Sequence, residues 1–267
     1  MARSLPRIVR GRKPRYLLSG AAISLLGYAL LAVLTAHQML VDVDLEVRTW
    51  VTLLRHEVLN LPMRGVTALG DSLGLIPLIA LGVALLWRVS RRWAIALPFL
   101  MLGAGVLQFV TKWAADLPRP NAAPWGFPSG HVLSLAVFFG LVVWLVATAS
   151  RRRQRWRIAA GALSATAVGV VGFSRLYLDK HWLTDLAGGL MVGLAYLLLA
   201  IWVVEVAWTA YSSARAARRA LSKTETLEVP DDEAHDRTAS VPVGGGVGLR
   251  GERDAGAREG ADETHAR

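Results

Sequence analysis

Three short stretches gather the residue types that could do chemistry: KWAADLPRP at 112–120, PSGH at 128–131 and SRLYLDKHWLTD at 174–185. Lys112, Arg119 and Arg175 supply positive charge, and an arginine can hold two oxygens of one phosphate. Ser129 and Gly130 precede an apolar run. A helix N-terminus there offers backbone N–H groups to an anion, and glycine lets the anion come close. His181 and Asp185 are four residues apart, so on a helix opened by His181 they share a face. The carboxylate then accepts from one ring nitrogen, fixes the tautomer and leaves the other nitrogen free to attack. His131 is placed to protonate the departing oxygen. Two histidines in complementary roles, among three cations, describe phosphoryl transfer through a phosphohistidine. With three cations to stabilise the transferring group, no cofactor or metal is expected, and the histidines lack a zinc-site spacing.

The elements that must position these residues are apolar. The chain has 267 residues, is 54% hydrophobic and has no cysteine. Its apolar residues are gathered into runs at 17–36, 73–87, 94–111, 132–149, 158–173 and 186–204. A span needs about 20 apolar residues, so we expect an all-α bundle of six transmembrane helices, the shorter runs being extended by their flanks. The first run exceeds a signal-peptide core of about 7–15 residues and reads as an uncleaved span.

Charge gives the expected orientation. The leader 1–16 carries six Lys/Arg, Trp87–Trp93 three, Arg151–Arg157 five and residues 209–223 four, with no acidic residue in any of them. The alternate segments 37–72, 112–131 and 174–185 hold seven basic and eight acidic residues. The positive-inside rule then makes both termini cytoplasmic and puts all three chemical stretches on the extracytoplasmic face of the plasma membrane. Basic clusters beside apolar runs serve topology, so no nucleic-acid partner is expected. Trp87, Trp93, Trp156, Trp182 and Trp208 fall at span ends, as interfacial tryptophans should.

The domain reading is a basic leader 1–16, a membrane domain 17–208 with the motif block 112–185, and a cytoplasmic tail 209–267. The tail is expected to be disordered from about 224, where acidic, Gly-rich sequence begins. Residues 45–61 carry apolar side chains at helical spacing and read as one extracytoplasmic interfacial helix. Asp71 reads as a helix N-cap, Asp116 and Asp179 as loop charges, and His37 and His56 as interfacial residues.

The order K-x6-RP, PSGH, SR-x5-H-x3-D closely resembles the three signature motifs of the type-2 phosphatidic acid phosphatase superfamily, which also includes vanadium haloperoxidases. The resemblance implies a metal-independent phosphatase with His181 as nucleophile, Asp185 as its partner and His131 as general acid. It also implies phosphate binding by Lys112, Arg119, Ser129, Gly130 and Arg175. A lipid phosphate or diphosphate in the bilayer is the substrate this layout suggests: a polyprenyl diphosphate, phosphatidic acid or phosphatidylglycerol phosphate. A haloperoxidase, a lipid phosphotransferase using the same site, and a non-catalytic lipid-binding or transport protein are the competing readings.

Overall fold

The computed structural model describes residues 15–149 and 154–227. Most of the basic leader, part of the 151–157 cluster and the acidic tail after Leu227 lie outside them. The described residues form helices α1 Arg15–Ala36, α2 Val41–Leu53, α3 Glu57–Ala68, α4 Ser72–Val89, α5 Arg91–Ala115, α6 Gly130–Ala149, α7 Gln154–Tyr177 and α8 Leu183–Leu227, with no strand. Six of these, α1 and α4 to α8, are long and apolar enough to cross a membrane, and they coincide with the six apolar runs. The two short runs reach spanning length because α4 extends to 18 residues and α7 to 24.

Apolar residues face outward as well as inward. Ile23, Leu26, Leu73, Phe99 and Leu102 are all exposed, a surface that water would penalise and lipid tails match. The core lies between Trp93, Leu97 and Leu100 of α5, Leu133, Val137 and Leu141 of α6, and Val192, Leu197 and Ile201 of α8, with Leu17 of α1 against them. Trp93, expected at the lipid interface, is instead buried in this core. Its neighbour Arg92 is largely buried, paired with Glu205 at 2.8 Å and lying over the Trp93 and Trp208 rings.

The segment read as a single interfacial helix is two helices, α2 and α3, broken at Leu54–His56. Neither glycine nor proline causes the break. The Tyr177 hydroxyl of α7 accepts from the His56 N–H at 2.8 Å and donates at 3.0 Å to the His56 carbonyl, which also accepts the Leu59 N–H, so the N–H at the break has a partner outside the helix. The chain divides into two compact units, Met1–Ser212 and Ser213–Arg267. The second is described only to Leu227 and is helical there, so helix continues past residue 224, where the sequence suggested disorder.

Candidate active site

The site is built around the start of α8. Leu183 is the first helical residue, Trp182 stands at the N-cap and Asp185 at the third helical position. The Asp185 carboxylate reaches back as in half a capping box: Oδ2 accepts the Trp182 N–H at 3.0 Å. The same oxygen lies 3.0 Å from His181 Nδ1. His181 therefore precedes the helix by two residues, rather than opening it, and the pair meets through capping geometry. With Nδ1 donating to the carboxylate, Nε2 is left free. Both side chains are buried, at 3% and 1% exposure. Burial, then the charges of Lys112, Arg175 and Arg119, hold His181 well below the ordinary imidazole range. The ring is neutral at neutral pH, the form in which a nitrogen lone pair can attack.

Trp182 has no side-chain oxygen to cap α8, and a residue from α2 fills that role. Asp44 accepts the Thr184 N–H at 3.0 Å through Oδ1 and the Thr184 hydroxyl at 2.6 Å through Oδ2. The turn before His181 is tied down by Asp179, whose carboxylate takes two bonds from Arg48 at 2.9 and 2.7 Å and one from Arg55 at 3.2 Å. These arginines, Arg48 first, hold the Asp179 carboxyl below the usual carboxylate range. Asp179 is thus an anchor between α2, the residues after it and the α7–α8 turn, where a free loop charge was expected.

The second stretch is brought in by glycines of α8. A Cβ at Gly189 would lie 2.4 Å from the Ser129 carbonyl oxygen, and one at Gly188 would lie 2.5 Å from the Phe127 ring. Without those carbons, residues 127–129 lie directly on α8, and the Ser129 N–H donates to the Asp185 carbonyl at 2.8 Å. Phe127 is fully buried and stacks on Tyr28 of α1, whereas Trp125 stays on the rim, edge-on to Phe109.

The cations close the ring. Lys112 is buried at the end of α5, and its ammonium donates to the Trp125 carbonyl at 2.6 Å. Arg175 donates from Nη1 to Thr67 Oγ1 of α3 at 2.9 Å. The Trp182 indole bonds the Pro118 carbonyl, joining the α5–α6 and α7–α8 connections beside Arg119. Six buried side-chain polar atoms lack a hydrogen-bond partner among the described residues, and four belong here: Arg119 Nε, Ser129 Oγ, Arg175 Nε and His131 Nε2, the last lying 2.8 Å from the Asp71 carboxylate. Uncompensated donors at such density are costly unless something accepts from them. All eight residues singled out from sequence, Lys112, Arg119, Ser129, Gly130, His131, Arg175, His181 and Asp185, belong to this assembly. Asp44, Thr67 and Asp71 belong to it too and carried no motif.

From His131 a cavity of about 760 Å³ runs between α4, α5 and α6. Asp71, Gly130 and His131 line one end, and Ile76, Ile79, Met101 and Leu102 continue it as an apolar groove. Among the described residues no three His, Asp or Glu side chains form a metal-ligand set.

Residues 93–209 match the PAP2 superfamily, a range that contains all three stretches. Over 153 residues the chain is 32% identical to phosphatidylglycerophosphatase B of Bacillus subtilis, covering 53% of this chain and 73% of that protein. The chain belongs to the PAP2 superfamily. Its fold agrees with the crystal structure of a transmembrane PAP2-type phosphatidylglycerolphosphate phosphatase from Bacillus subtilis, at 25% identity and a TM-score of 0.60. That likeness covers 70% of this chain and 94% of the other. The protein is thus a multi-pass PAP2 membrane phosphatase, as the motif resemblance implied. Asp44, Thr67 and Asp71 lie outside the part of the chain that matches the PAP2 superfamily.

Proposed function

We propose that this PAP2 protein hydrolyses the phosphate monoester or diphosphate of a membrane lipid through a phosphohistidine on His181, at the extracytoplasmic face and without a metal. The observation that carries the reading is the set of partnerless buried polar groups of Arg119, Ser129 and Arg175 around a neutral, carboxylate-held imidazole. A phosphoryl group accepts from the two arginines and the serine. Lys112 adds charge, and the start of α6 at Gly130 adds backbone donors.

His181 Nε2 attacks phosphorus while Asp185 steadies the imidazolium that develops. The phosphorus–oxygen bond to the leaving group breaks, and His131 gives that oxygen a proton. Water then attacks phospho-His181, His131 takes its proton, and inorganic phosphate leaves. The apolar groove beside His131 suits the hydrocarbon part of a lipid whose headgroup sits among the cations. The relative's activity makes phosphatidylglycerol phosphate the first substrate to test, ahead of phosphatidic acid and a polyprenyl diphosphate.

The test is phosphate release from these three lipids by the detergent-purified full chain in EDTA, with His181→Ala and Asp185→Asn alongside. We expect release by the wild type alone at full rate and an acid-labile phosphoenzyme on quenching. His181→Ala should lose about 10³-fold or more, and Asp185→Asn should turn over slowly while still binding lipid. Normal rates in His181→Ala would remove it as nucleophile, and loss of wild-type activity in EDTA would overturn metal independence.

A further inference from the structure

His131 is held by a turn that the catalytic scheme has not used. Leu69, Gly70 and Asp71 join α3 to α4. Asp71 occupies the N-cap position of α4, yet its side chain makes no cap hydrogen bond. Its Oδ1 lies instead 2.8 Å from His131 Nε2, on the first turn of α6. The contact is close in distance but not aligned as a hydrogen bond, so Nε2 retains its donor capacity. Gly70 touches the other edge of the same side chain: a Cβ there would lie 2.5 Å from His131 Cδ2 and 2.9 Å from Cγ. One turn thus gives the imidazole both a flat backbone wall and a carboxylate. The other titratable or charged groups acting on the ring are Arg175 and the neutral His181.

A general acid needs a proton before the leaving oxygen departs. The Asp71 carboxylate, within 3 Å of the ring, sets a negative charge against the positive charge of Arg175 there. We propose that Asp71 is a positioning residue for His131, holding its ring and stabilising the protonated form that delivers a proton to the leaving oxygen. The proposal rests on the reading of His131 as general acid. Asp71 does not touch phosphorus in this scheme; it acts through the histidine. At half exposure it lies at the mouth of the cavity, so the carboxylate can withdraw as the leaving group approaches Nε2.

The experiment compares two leaving groups in the full-length protein. Phosphatidic acid releases an alkoxide and needs a proton, whereas p-nitrophenyl phosphate releases a stable phenolate and does not. Asp71→Asn and Asp71→Ser both keep an N-cap side chain and remove the charge, and Asp71→Glu restores it. We expect Asn and Ser to lower kcat on phosphatidic acid about tenfold or more, with KM and the nitrophenyl rate little changed. Glu should recover part of the loss, and Asp71→Asn should add nothing in a His131→Gln background. Gly70→Ala, by displacing the ring, should show the same leaving-group signature. Equal losses on both substrates, wild-type rates in both Asn and Ser, or multiplied losses in the double variant would overturn the proposal. If His131→Gln itself shows no leaving-group preference, the general-acid reading fails and takes the proposal with it. If His131→Gln shows that preference and the Asp71 variants do not, only the assignment of Asp71 falls.

Discussion

Thr184 gives both its backbone N–H and its hydroxyl to the two oxygens of one carboxylate, that of Asp44, 140 residues earlier in the chain. Asp44 is buried, and its charge sits at the N-terminus of α8, where the helix dipole favours an anion. Asp44→Ala leaves a buried N–H and hydroxyl without partners, at a cost of about 1–3 kcal/mol. Asp44→Asn keeps one acceptor oxygen and should lose less. Thermal unfolding in detergent checks the ranking, and an unchanged midpoint in Asp44→Ala would show that the cap contributes nothing.

Acid should disable His181 later than an ordinary imidazole, which titrates near about 6.5. Its pKa is depressed by burial and by nearby cations, so the neutral nucleophile persists as pH falls through that value. Removing one cation makes the imidazolium less costly. In Lys112→Ala the acid limb of kcat/KM, corrected for the substrate's own ionisation, should therefore move to higher pH. A limb that stays in place or moves lower contradicts the electrostatic account.

Gly189 has no room for a side chain. Its Cβ would lie 2.4 Å from a backbone oxygen, which cannot swing aside as a side-chain tip could. Gly189→Ala should displace Ser129 and Gly130 from α8, destabilise by about 1–3 kcal/mol and weaken phosphate binding, seen as a raised KM. Gly169→Ala is the matched control, because a Cβ there meets nothing within 4 Å. Equal behaviour of the two variants would mean that the close contact is not needed.

What could be read from sequence follows from the range of the interactions. Six spans were legible because each apolar run is continuous, and the three motif stretches because their residue types and spacings are local. His181 with Asp185 was legible as a pair, though its capping geometry was not, since that depends on where α8 begins. The division of α2 from α3 was hidden because the side chain that bonds the backbone at the break, Tyr177, lies 121 residues from His56. Asp71 looked like an N-cap, and it stands at that position, but its carboxylate is turned to a histidine from another helix. Trp93 sat at a span end in sequence, yet the packing of α5 turns it inward. No local pattern carries such information.

The long reach of the bonds around His181 has a consequence for biogenesis. Thr184 depends on Asp44, Arg175 on Thr67 across 108 residues, and the α7–α8 turn on Arg48 and Arg55. The segment holding α2 and α3 is synthesised long before its partners, which lie at the end of α7, in the turn after it and at the start of α8. A chain still being inserted therefore lacks an ordered His181, and phosphatase competence arrives as the closing event of membrane integration.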